Sequence, residues 1–205
     1  FQSERNIVQK LGFHLGKRTN LSELEAIYGV DGSTNLAHVQ APLVQAGDIL
    51  HPQLDEFGGL RPIVVPVGVD QDPHLRLTRG LASKTNWFNV NDAKMGLQVG
   101  VSVQEENSIA LGVESTGRVN KEKQKEVFSK IVDRISSLGF SDIMSNPKHG
   151  TVNIPSATSR DKSSIKLALL SLEREMGGVG LMAPSSTCHR FAVGMTGDKM
   201  SSSKP

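Results

Sequence analysis

One cysteine, one tryptophan and one tyrosine occur in 205 residues, and aromatics make up only 4% of the chain. A lone Cys188 excludes an intramolecular disulfide and a cysteine-rich zinc site, and it suits a reducing cytosol. Trp87 alone cannot build the stacking platform on which proteins hold single-stranded nucleic acid. A surplus of one charge is missing as well. The net charge of +2 excludes a strongly basic nucleic-acid coat, while leaving room for a local basic face. No apolar run reaches membrane-spanning length, so no membrane partner is expected. His51, His149 and His189 show no metal-ligand spacing, and no dedicated metal site is expected. The 37% hydrophobic content is low but sufficient for one or two domains with a core. The first residue is Phe1, at the head of "FQSERNIVQKLGFHLGK", which reads as the middle of a domain in a cytoplasmic protein cut at both ends.

What is present organises into helices and one clear strand. Ile7, Val8, Leu11 and Leu15 recur at helical spacing. Asn20 followed by Glu23 predicts the start of a second helix, and Gly29 its end. A third helix is expected from Ser33 or Thr34, bent or restarted at Pro42. "RPIVVPVGV" reads as a buried parallel strand, and "DQDPHLRLTRGLA" directly after it as a helix capped by Asp72. Strand, tight turn and helix form one half of a doubly wound unit, in which ligands sit at the carboxyl ends of strands. From about Val90 the sequence turns polar. Two amphipathic helices follow, one striped by Val127, Phe128, Ile131, Val132, Ile135 and Leu138, the other capped by Asp161 and carrying Ile165, Leu169, Leu172 and Met176. The expected organisation is residues 1–90 as part of an α/β domain, 91–190 as an inserted α-rich subdomain, and 191–205 as a loop.

Three stretches carry chemistry. Gln45 and Asp48, three apart on one helix in "PLVQAGDIL", suit a small-molecule pocket that recognises an N–H donor or an ammonium; a merely structural carboxylate is the alternative. In "GVDQDP", Gly68 leaves room for a ligand to approach the backbone, Asp70 can accept from ribose hydroxyls, and Gln71 can donate and accept. The same residues also suit an ordinary helix-entry turn. Arg76 and Arg79 read as a solvated or ion-paired face. Finally, "MTGDKMSSSKP" combines Lys199 with Ser201, Ser202 and Ser203, either a tail or a loop that wraps phosphate.

Taken together, "PLVQAGDILHPQ", "VPVGVDQDPHLRLTR" and "MTGDKMSSS" resemble the tryptophanyl-tRNA synthetase family of class I aminoacyl-tRNA synthetases, its archaeal and eukaryotic branch above all. The match covers roughly residues 1–90 and 190–205. The resemblance implies a Rossmann-like catalytic domain, represented by its carboxyl-terminal half, with the insertion set into it. It implies activation of tryptophan by ATP with Mg2+, transfer to tRNA(Trp), and a homodimer. Gly68 and Asp70 would hold the ATP ribose, Gln71 the amino acid moiety, and Gln45 and Asp48 the side-chain pocket. Lys199 would neutralise the leaving pyrophosphate, Ser201 to Ser203 would supply donors, and the Met200 backbone would abut adenine. Ser202 stands where the family's loop signature usually has lysine, and the family's HIGH signature is absent from these residues. An isolated piece of this kind is expected to be inactive. The tyrosyl enzyme and a non-catalytic synthetase-like binding paralogue are the alternatives. Lys121, Lys123, Lys125 and Lys130 suggest either a surface subdomain with a solvated face or a tRNA-contacting arm.

Overall fold

The computed structural model of the chain describes residues 6–113 and 118–189. They form two compact units, residues 6–84 with 183–189 and residues 85–113 with 118–182.

In the first unit, local capping sets the helix boundaries. Helix α1 spans Ile7–Gly16 and buries Val8, Leu11 and Leu15. Helix α2 (Leu21–Tyr28) starts where Asn20 Oδ1 accepts the Glu23 N–H at 2.9 Å, and ends at Gly29, whose φ is 69°. Helix α3 (Leu36–Leu50) starts later than expected, capped by Asn35, which accepts the His38 N–H at 3.1 Å. Ser33 and Thr34 belong instead to a turn around Asp31: both hydroxyls donate to its carboxylate, and Thr34 Oγ1 accepts the Asp31 N–H at 2.9 Å. The helix also runs as one element through Pro42.

Helices α1 and α3 cross at two glycines. A Cβ on Gly12 would lie 2.9 Å from the Leu43 carbonyl oxygen, and one on Gly47 would lie 2.5 Å from that of Val8. The backbones approach too closely for any side chain at these two points.

Strand β1 (Val64–Gly68) leads through a 3₁₀ turn, Val69–Gln71, into helix α4 (Asp72–Thr85). Asp72 is the helix's first residue, and its carboxylate accepts from Arg76 Nε at 2.6 Å. Leu75, Leu77, Leu81 and Ala82 are buried. The last strand, β6 (Ser185–His189), pairs with β1 in parallel, Val64 opposite Ser185 and Gly68 opposite His189. This β1–α4–β6 path is the parallel unit of the Rossmann-like fold predicted from sequence. The expected burial of the strand is not seen. Val64 is 61% exposed, because among the described residues β1 has a neighbour on one edge only. Arg79 braces the return of β6, donating from Nε to the Pro184 carbonyl and from Nη2 to Ser186 Oγ, both at 2.8 Å.

The second unit holds the two expected helices, α5 (Lys121–Ser136) and α6 (Lys162–Glu175), together with a sheet that the sequence reading did not anticipate. Strands β2 (Phe88–Asp92), β3 (Leu97–Val101), β4 (Met144–Asn146) and β5 (Thr151–Ile154) form an antiparallel sheet in the order β2-β3-β5-β4. Phe88, Val90, Leu97, Val99, Val152 and Ile154 point to one face and join Phe128, Ile131, Ile135, Ile165 and Leu169 in a single core. On the other face Gln98 Nε2 donates to Asn153 Oδ1 at 2.8 Å. Period-two alternation produces this division. Asp161 precedes α6 without capping it, since its carboxylate accepts instead from the Thr158 N–H and hydroxyl.

The ends of the second unit are stitched together. Asn86 Nδ2 donates to the Leu181 carbonyl while its Oδ1 accepts the Leu181 N–H, both at 2.8 Å. Buried Glu173 accepts the Trp87 N–H at 2.8 Å and the Gly180 N–H at 3.0 Å. Burial pushes its carboxyl up to about 7 against the pull of those backbone donors.

Two substitutions test this packing. Gly47→Ala should cost about 1 to 2 kcal/mol, the overpacking penalty less the gain in helix propensity, read as a lower thermal midpoint of the first unit. Glu173→Gln places an amide NH2 against a backbone N–H and should cost about 1 to 3 kcal/mol. Trp87, the only tryptophan of the chain, reports the unfolding of that unit by fluorescence.

Candidate functional site

Helix α3, the end of β1 and the start of α4 bring together residues far apart in sequence. Gln45 Nε2 donates to Gln71 Oε1 at 3.1 Å, joining the middle of α3 to the turn after the strand. Both side chains are half-buried. The tight α1–α3 crossing at Gly47 holds the Gln45 end of this bond two residues away.

Gly68 has an ordinary extended backbone, with φ −71° and ψ 158°, so no backbone strain calls for glycine there. A Cβ there would lie 2.6 Å from Asp70 Oδ1. The carboxylate of Asp70 therefore folds back over the strand end, and as the far end of a flexible side chain it can swing toward a ligand there. Asp48 lies one turn beyond Gln45 and is exposed. Its carboxylate is 3.7 Å from His51 Nδ1, and it shares an open groove of about 380 Å³ with Ala37, Gln40, Ala41, Val44 and Gln45. Lys199, Met200, Ser201, Ser202 and Ser203 lie outside the described residues.

Beside Gln45 lies a second cleft, of about 420 Å³, in which Tyr28 and His74 meet. The sequence reading assigned neither residue a role in the site, although Tyr28 is the only tyrosine of the chain. Tyr28 Oη lies 3.0 Å from His74 Nδ1, and the rings are 4.9 Å apart at 31°. Burial pushes the Tyr28 hydroxyl up to about 12, so it keeps its proton. A neutral His74 with its own proton on Nε2 accepts from that hydroxyl at Nδ1, and the other tautomer donates to it. Burial holds the His74 ring below the usual imidazole range, opposed by the negative charge of Asp70. Among the described residues no three His, Cys, Asp or Glu side chains converge to hold a metal ion, and no helix is long and apolar enough to cross a membrane.

A strand-end turn that binds a glutamine from a neighbouring helix is compatible with many ligands, and sequence comparison narrows them. Residues 1–119 match the family model of class I tRNA synthetases (W and Y). The chain belongs to this family. A tryptophan–tRNA ligase of Methanosarcina acetivorans is 40% identical over 205 residues, all of this chain and 42% of that protein. One from Archaeoglobus fulgidus is 38% identical over the same span, 41% of its length. The synthetase chain thus spans less than half the length of these curated relatives. A crystal structure of tryptophanyl-tRNA synthetase from Aeropyrum pernix K1 is 50% identical over 42% of this chain and 23% of that one, with a TM-score of 0.38.

The burial of His74 gives this class I synthetase chain a definite acid response. The folded state holds the His74 pKa below the unfolded value of 6.5, so the unfolded chain binds the extra proton first. Stability of the first unit should therefore be full above pH 6.5 and fall as the pH drops through the folded pKa. His74→Asn, which keeps an acceptor without the titration, should flatten that fall in thermal melts between pH 7 and 5. An unchanged fall would place the response elsewhere.

Proposed function

We propose that this chain is the central part of a tryptophan–tRNA ligase. The enzyme activates tryptophan with ATP, accompanied by Mg2+ as part of the nucleotide substrate, and passes the amino acid to the terminal ribose of tRNA(Trp). The observation that carries this reading is the Gln45–Gln71 hydrogen bond, which ties the pocket helix to the strand-end turn in a chain whose family contains both tryptophan and tyrosine enzymes. The names of the relatives that align along all of its residues favour tryptophan.

In the first step the tryptophan carboxylate attacks the α-phosphorus of ATP and pyrophosphate leaves. In the second a ribose hydroxyl of the tRNA attacks the acyl carbon and AMP leaves. Gln71 holds the amino acid moiety, Gln45 and Asp48 line the side-chain pocket, and Asp48 accepts from the indole N–H. A carboxylate in that role discriminates against ligands that lack the donor. Gly68 and Asp70 hold the ribose of ATP. Lys199 neutralises the charge that builds on pyrophosphate, Ser201 to Ser203 supply donors, and the Met200 backbone abuts adenine. Positioning and charge stabilisation carry such phosphoryl chemistry. The reading includes a cytoplasmic homodimer.

The test is amino-acid-dependent exchange of pyrophosphate into ATP by the full-length protein, with tryptophan and tyrosine compared. Exchange with tryptophan alone is expected, and Gln71→Ala should reduce kcat/KM for tryptophan by about tenfold to a hundredfold, the loss of a hydrogen bond to a charged group. Exchange with tyrosine alone would make it the tyrosyl enzyme. Binding without exchange of either amino acid would make it a non-catalytic paralogue.

A further inference from the structure

The second unit carries a basic cleft that none of the chemistry above uses. It is about 480 Å³ and is lined by Val119, Lys121, Gln124, Lys125, Pro147 and Lys148. Two separate elements supply its cations. Lys121 and Lys125 are one turn apart on α5, and Lys148 sits in the 3₁₀ turn Pro147–His149. Gln124 Nε2 donates to the Pro147 carbonyl at 3.2 Å and joins the two elements across the floor.

Charge on α5 is sorted by face. Lys130 is paired with Glu126 at 2.6 Å, and the same carboxylate feels the charge of Lys123. Among the described residues the three lysines of the cleft make no ion pair, and no carboxylate lines the cleft. All three are exposed. The amino-terminal end of α5, capped by Asn120, adds its positive dipole end at Lys121. Between the ammonium groups the surface is apolar. Val119 is 47% exposed, and the Pro147 ring stands beside it. Unpaired cations around an apolar floor match a ribose-phosphate backbone, in which anionic phosphates alternate with the less polar faces of sugar and base.

We propose that this cleft docks the phosphate backbone of the tRNA, with Lys121, Lys125 and Lys148 each facing a phosphate. The choice of RNA over an acidic protein rests on the proposed function. The contact is sequence-independent: it adds affinity and fixes the placement of the RNA without reading its bases.

The experiment measures binding of a tRNA(Trp) transcript to the full-length protein across a salt series. The triple variant Lys121→Gln, Lys125→Gln, Lys148→Gln should lower the slope of log affinity against log salt by about 2 to 3. A slope change of about 2 over the decade between 1 M, where counterion release vanishes, and 0.1 M corresponds to about a hundredfold weaker binding at the lower salt. Each single variant should take away about 0.7 to 0.9 of the slope, so the result does not hang on one variant folding. The double variant Lys123→Gln, Lys130→Gln is the control and should leave the slope in place. An unchanged slope in the triple variant would overturn the proposal. An equal loss in the control would also overturn it, by assigning the effect to diffuse charge. Tryptophan-dependent pyrophosphate exchange on the same preparations should be unaltered by the triple variant. Its absence from the unmodified protein would count against the proposed function, while the salt slope would still report on the cleft.

Discussion

The neck of the inserted unit is the constraint on which the rest of the chain depends. A parallel strand pair needs its second strand delivered in register after a long excursion, here from Thr85 to Met182. The two hydrogen bonds between Asn86 and Leu181, with Glu173 holding the N–H groups of Trp87 and Gly180, keep the entry and exit of that excursion together. These are buried bonds, so each lost partner would leave a polar group unsatisfied in a dry setting. On the other side of the boundary Arg79 takes hold of Pro184 and Ser186, and β6 begins at once beside β1. An insertion clasped in this way adds residues without disturbing the strand pairing that supports the site.

A second constraint acts on the site itself. Helix α3 bears Gln45 and Asp48, and its distance from α1 is set by backbone contact at Gly12 and Gly47, which leaves no side chain to adjust. Strand β1 sets the place of Gln71 from the opposite direction. The Gln45–Gln71 bond therefore joins two positions that are each held by something more rigid than a side chain. The hydrogen bond between Tyr28 and His74 ties α2 to the first turn of α4 close to that bond.

Much of this was legible in the residues. Asn20 and Gly29 act as the local rules require, because a cap depends on groups only a few positions away. The start of α3 was misjudged by two or three residues, since Ser33 and Thr34 are drawn into a turn around Asp31. The sheet of the second unit was missed although Phe88-Asn89-Val90, Leu97-Gln98-Val99 and Val152-Asn153-Ile154 alternate cleanly. Each run is short, and a short alternation has meaning only once its partner strand is known. Tyr28 and His74 left no signal at all, because 46 positions separate them.

The sequence by itself determined the helices, the strand-turn-helix order at residues 64–85, the family, and the residue types available for chemistry. Those depend on spacing and on local backbone preference, which a linear string records. Only the tertiary structure decided that Gln45 meets Gln71, that the Asp70 carboxylate lies over Gly68, that Tyr28 meets His74, and that the lysines of α5 divide into a paired set and a cleft-lining set. Each of these is a contact between elements, and its energy comes from desolvation and packing that exist only after the elements have come together.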